Sequence, residues 1–159
     1  RGVASGFWCN VGLTSSAIAK LNPDGTVTLL EGSPDIGGTR SSIAMQFAET
    51  LGLGFDDIIP MVADTDSVGF TDVTGGSRVT FATGYAAHEA AKDMREQMVV
   101  GLADVWDVDA STVVYENAMF SAGDKSASFK EAAPRYVSVR HLASIKALLY
   151  LSPPTRLRR

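Results

Sequence analysis

Cysteine and histidine are nearly absent from this sequence, with one Cys and two His in 159 residues. The lone Cys9 excludes an internal disulfide framework and a Cys-based metal cluster, and it is expected as a small buried residue between Trp8 and Asn10. No run of about 18 or more apolar residues exists, so no transmembrane helix is expected. There is no initiating Met and no basic-then-apolar signal pattern. The chain opens Arg1-Gly2-Val3-Ala4, which reads as a piece of something longer. Residues 134–159 contain no acid at all but carry 6 of the 14 bases. Residues 1–133 carry all 18 acids and 8 bases, a balance of −10. An acidic body argues against nucleic acid as its partner, because phosphate backbones attract Lys and Arg.

What is present is a normal globular composition, 45% hydrophobic and 20% charged, enough for one domain with a real core. Val3 to Gly12 and Ser15 to Leu21 read as strands. Asn22-Pro23-Asp24-Gly25 supplies turn chemistry, and the alternating Thr26 to Leu30 returns as a hairpin partner. Ile43, Phe47 and Leu51 define a helix that stops at Gly52. Ile58 to Ala63 suits a strand buried between helices. After Arg78, the residues Phe81, Tyr85, His88, Ala91, Met94, Met98, Leu102 and Val105 form a core-facing helical stripe, on which His88 is expected neutral and hydrogen-bonded. Val113 to Glu116 and Ala118 to Ser121 read as a final strand pair around Asn117. Ser128 and Glu131 form a capping box for a short helix that Pro134 ends.

Two glycine loops, each running into a helix, carry the chemistry. In the second, Gly75 and Gly76 leave bare backbone amides. Ser77 is placed to cap the helix, Arg78 offers a fork suited to phosphate, and Thr74 and Thr80 add hydroxyls. The first, Gly37-Gly38-Thr39-Arg40, repeats the arrangement, and both turns are expected at one edge of the sheet as an anion site. Asp64, Asp66 and Asp72 lack the alternation of a calcium loop and are read as turn residues. A small hydrolase using Ser77 with His88 is a weak alternative, since no Gly-x-Ser-x-Gly elbow is present. No catalytic or metal-ligating residue is assigned.

Three phrases together resemble the molybdopterin-binding large subunit of the molybdenum hydroxylases, the xanthine dehydrogenase, aldehyde oxidase and carbon monoxide dehydrogenase family. They are Gly6-Phe7-Trp8, the string from Gly32 to Arg40, and the run from Ala63 to Arg78. The likeness spans about residues 2–133, a minor fraction of that subunit. It implies that Gly37 to Arg40 lie beside the molybdenum centre and that Thr74 to Thr80 wrap the phosphates of a molybdopterin dinucleotide, usually the cytosine form in bacteria. The family often has glutamine where Gly38 stands, and that contact to a metal oxygen ligand is missing here. The family's catalytic glutamate belongs to a later part of the subunit, and nothing after Ala133 resembles it. Iron–sulfur and flavin components are the implied partners.

The expected fold is α+β, an antiparallel or mixed sheet with two helices packed on one face in the order β-β-β-α-β-α-β-β. Residues 1–133 are expected as a molybdopterin-binding-like domain and residues 134–159 as a basic tail, non-native or frame-shifted. Its Val139, Leu142, Ile145 and Leu149 recur at helical spacing. The expected function is a cofactor-binding fragment of a molybdenum hydroxylase, cytoplasmic and homo-oligomeric in isolation. The alternative is a self-associating binding or assembly module without catalysis.

Overall fold

A computed structural model describes residues 1–8, 10–62 and 64–140, the last four by backbone alone. Cys9 and the segment 141–159 lie outside the described residues, and so do the expectations attached to them. The architecture is α+β with two three-stranded sheets. Strands β1 (Ala17–Leu21) and β2 (Val27–Glu31) form the expected antiparallel hairpin, in register from Ala17↔Glu31 to Leu21↔Val27. Its turn closes as the residue types dictate. Gly25 takes φ 83° and donates to Asn22 O, and Asp24 Oδ1 accepts from Thr26 N at 2.9 Å.

Helix α1 (Thr39–Leu51) follows, ending at Gly52 with φ 67°. It returns the chain to β3 (Ile58–Val62), which lies parallel to β2, as a helical crossover allows. The sheet is therefore mixed, and β3 is an edge strand with Ile59 and Met61 exposed, not buried between helices. Pro60 gives the reason: it has no N–H to donate, so the strand tolerates a neighbour on one side only.

Helix α2 (Gly84–Trp106) is preceded by a single π-helical turn, Val79–Thr83. It packs on α1 and β1 over one face of the sheet. The second half of the expected stripe is buried as drawn, at Ala91, Met94, Met98 and Leu102. Phe81, Tyr85, His88 and Val105 instead face outward or sit half-buried. A π turn advances more residues per turn than an α-helix and so shifts the phase ahead of it. Ala86, Ala87 and Ala90 take the core positions there, beside Ala44 and Ala48 of α1.

Strands β4 (Val114–Glu116), β5 (Met119–Ala122) and β6 (Lys125–Ser128) form a second, antiparallel sheet. Asn117 and Ala118, both at positive φ, make the first of its turns. Helix α3 (Phe129–Arg140) starts with the capping box: Ser128 N and Oγ both donate to Glu131 Oε2 at 2.8 Å, and Glu131 N donates to Ser128 Oγ at 3.3 Å. Pro134 does not end this helix but lies inside it. Burial of Ala132, Ala133 and Tyr136 around the proline offsets its one lost hydrogen bond, and a Cβ on Gly101 of α2 would collide with the Tyr136 ring. The described residues of the segment 3–12, read as a strand, belong to neither sheet and run as an irregular strap.

Candidate cofactor site

The strap, the first glycine loop and the second are tied together by one buried polar cluster. Arg78 is wholly buried, and its guanidinium is consumed by the chain itself. Its Nε donates to Gly12 O at 2.7 Å, Nη1 to Asp72 O at 3.0 Å, and Nη2 to Thr14 O and Ser15 Oγ. Ser15 Oγ lies 2.9 Å from Thr83 Oγ1, which lies 2.7 Å from Ser33 Oγ. Burial lowers the Arg78 pKa, opposed by nearby Asp72, whose carboxylate accepts from Thr14 N at 2.8 Å. A cation this deep persists because each donor group finds an oxygen. The fork expected to meet phosphate is thus a bolt between loops.

Ser77 also differs from expectation. It takes φ 55° and caps nothing; its carbonyl accepts from Asn10 Nδ2 at 2.7 Å. The two neighbouring glycines serve different ends. At Gly76, φ 64°, an added Cβ would overlap the Val11 side chain, so this glycine admits the strap. At Gly75 an added Cβ would meet nothing within 4 Å, so its backbone is open to an outside group. Among the described residues, the N–H groups of Gly75, Gly76, Ser77 and Arg78 donate to no protein acceptor.

The first loop is already neutralised. Asp35 Oδ1 accepts from Gly38 N at 3.1 Å, Arg40 N at 3.2 Å and Thr39 Oγ1 at 3.3 Å, and Arg40 Nε stands 3.7 Å from Asp35 Oδ2. These bonds, the Arg40 N–H first, hold the Asp35 carboxyl below the usual range. An anion arriving at Gly37 to Arg40 would have to compete with this carboxylate.

The two loops nevertheless meet. A cavity of about 320 Å³ is lined by Ile36 and Thr39 from the first and by Thr74, Gly75, Ser77, Arg78, Val79 and Thr80 from the second. Six of the ten residues singled out in the sequence therefore share one cavity, whereas Gly37, Gly38, Arg40 and Gly76 do not line it. Its walls carry hydroxyls and a helix start but no acid, which is the donor set a phosphate requires. A π turn such as 79–83 is uncommon and concentrates at functional sites.

Among the described residues no group of three or more His, Cys, Asp or Glu is arranged for a metal ion. Asp64 spends its carboxylate on the N–H groups of Asp66 and Ser67, at 3.0 and 2.8 Å. His88 is not a core residue; its Nδ1 lies 2.8 Å from Thr50 Oγ1. Composition missed Glu31, which is buried at the end of β2 with neither carboxylate oxygen bonded. Burial first, then Asp35, pushes its pKa up to about 7, against the opposing pull of Arg40. An acid ending an apolar strand, one step before a glycine loop, was the available signal.

The fold agrees with the comparisons. A model of the molybdopterin cofactor-binding domain matches residues 1–150, so the chain belongs to that family. A solved copper- and molybdenum-containing CO dehydrogenase, in its carbon monoxide-reduced state, is 26% identical with a TM-score of 0.75 over 90% of this chain. A reconstituted CO dehydrogenase from Oligotropha carboxidovorans is 25% identical, with TM-score 0.75 over 89%. Quinoline 2-oxidoreductase from Pseudomonas putida 86, at 20% identity and TM-score 0.66 over 86% of the chain, shares the fold. The chain spans only 18–19% of the length of these solved chains.

Proposed function

We propose that this chain is the part of a molybdenum hydroxylase large subunit that holds the phosphates of a molybdopterin dinucleotide, in its cytosine form. The observation that carries this reading is the acid-free cavity where Thr39 faces Thr74, Gly75, Ser77 and Thr80 beside unpaired amides. Amides and hydroxyls held by a buried scaffold bind an anion without reorganising, which is how a protein grips a diphosphate. When bound in the whole enzyme, the cofactor supplies the redox centre at which water-derived oxygen enters a C–H bond. This chain's own contribution is to hold and orient: Arg78 fixes the strap to the second loop, Ser15 and Thr83 carry the link on to Ser33 of the first, Gly75 opens the backbone, and the hydroxyls bond phosphate oxygens. Gly37 to Arg40 stand toward the metal end, with Gly38 in place of the family's frequent glutamine. The partners of the whole enzyme are its remaining domains and its iron–sulfur and flavin components, in the cytoplasm. No described helix is long and apolar enough to cross a membrane.

Titration calorimetry with inorganic pyrophosphate tests the reading. Binding by the native chain, weakened about tenfold in Thr74→Val by loss of one charge-assisted donor, supports it. Absence of binding overturns it.

A second reading, a self-associating module without catalysis, is favoured by the sheet face turned away from the helices. There Ile18, Leu30 and Met61 align across the three strands, with Ile59 beside them, and Ile59 and Met61 are 46% and 49% exposed. An apolar row of this kind, exposed at β3 and half-buried at Ile18 and Leu30, favours homo-oligomers in the isolated chain.

A further inference from the structure

Glu31 is the one fully buried acid among the described residues, in line with Val27 and Leu29 on the buried face of β2. A carboxylate placed there with neither oxygen bonded is costly to keep charged unless a cation stands near. Its strand partners are Ala17 of β1 and Val62 of β3. Next along the chain, Gly32 lies against Val68 and Thr71 of the second loop, and Ser33 reaches Thr83 of the π turn. None of these side chains titrates. Thr83 leads on through Ser15 to Arg78, whose donors are already spent on Gly12, Asp72, Thr14 and Ser15. The charged groups that act on Glu31 are Asp35 of the first loop, which opposes its ionisation, and Arg40 of α1, which favours it.

Those two groups also frame the phosphate cavity. Arg40 Nε stands 3.7 Å from Asp35 Oδ2, so while Glu31 keeps its proton the first loop holds a balanced pair. Ile36 and Thr39, the residues this loop gives to the cavity, lie between Asp35 and Arg40 in the chain, and Thr39 Oγ1 donates to Asp35 Oδ1 at 3.3 Å. Once Glu31 ionises, one guanidinium faces two carboxylates. The loop then carries a net negative charge beside a cavity whose donors suit an anion. Burial and Asp35 together place that change near pH 7.

We propose that Glu31 is a proton-binding site coupled to the phosphate cavity: protonated, it permits anion binding; ionised, it opposes it; and a bound anion draws a proton onto it. The last clause follows from the first two, because coupling between two binding sites is reciprocal. The inference rests on the phosphate-binding reading above and adds the regulation of that site.

Calorimetry on the full 159-residue chain with pyrophosphate, in native and Glu31→Gln forms from about pH 5 to about pH 8.5, tests it. Pyrophosphate gains charge over that range, so the quantity read at each pH is the ratio of the two dissociation constants. The chains should bind alike at the acid end, and at the alkaline end the native chain should be weaker by about fivefold or more, the low end of ordinary coupling between sites. Carboxyl-carbon NMR of the native chain reads the reverse effect and needs no variant. Saturating pyrophosphate should raise the Glu31 titration midpoint by about 0.7 pH unit, the equivalent of fivefold. If pyrophosphate binds but the ratio is flat with pH and the midpoint does not move, the coupling is overturned and the phosphate site stands. If pyrophosphate binds at no pH, the phosphate site and its coupling fall together.

Discussion

Replacing Glu31 with Gln should remove a loss of stability that the native chain suffers as pH rises. The carboxyl is buried at 1% exposure with no hydrogen-bond partner on either oxygen, and its pKa rises from an ordinary 4.5 to about 7. A raised folded-state pKa in an acid means that the folded chain keeps its proton while the unfolded chain has already released it. The contribution to stability is therefore full below about pH 4.5, declines between pH 4.5 and 7, and is gone above. At about 1.4 kcal/mol for each pH unit between the two values, the loss is about 3 kcal/mol. Glutamine cannot ionise, so the stability difference, Glu31→Gln minus native, should grow by about 3 kcal/mol from pH 4.5 to 8. Any offset from the amide's own unmet hydrogen bonds is constant with pH and cancels. Urea unfolding across this range measures the difference directly. Parallel curves would show that Glu31 is solvated or paired in solution, which would refute the reasoning.

Arg78→Ala should destabilise the chain by several kcal/mol, because it strips three carbonyls and Ser15 of a buried donor; a urea midpoint within error of native would contradict that. Gly76→Ala should cost more than Gly75→Ala, since only the first collides with Val11 and requires positive φ, and thermal melts of the pair would rank them. Met61→Asp should lower the oligomer size seen in size-exclusion chromatography, and an unchanged elution volume would remove the sheet face as the site of association. The isolated chain should show no oxidation of aldehydes or purines with a dye acceptor, because abstracting a proton from water needs a positioned base and no residue here is assigned one.

Much of the scaffold was legible because local chemistry alone determines it. The Asn22 to Gly25 turn, the Gly52 stop and the Ser128–Glu131 box each follow from one or two residue types, and each forms where those residues stand. That six of the singled-out residues line one cavity follows from their place in loops before helices, where glycine amides and hydroxyls gather. The failures come from long-range packing. Arg78 looks like a phosphate ligand until Gly12 and Thr14, more than sixty residues away, are folded against it. Phe81, Tyr85 and His88 carry the right spacing for a core, but the π turn and the alanines beside it place them outside. The segment 3–12 reads as a strand, but its described residues find no sheet edge; Val11 N donates to Gly76 O instead.

The most direct test of the central claim is an amide-resolved NMR titration of the chain with pyrophosphate. The account predicts the largest shifts at the backbone N–H groups of Gly75, Ser77 and Thr80, with smaller ones near Thr39 and little change at Gly38 and Arg40, whose amides Asp35 already holds. Shifts confined to Gly37 to Arg40, or none between Thr74 and Thr80, would contradict it.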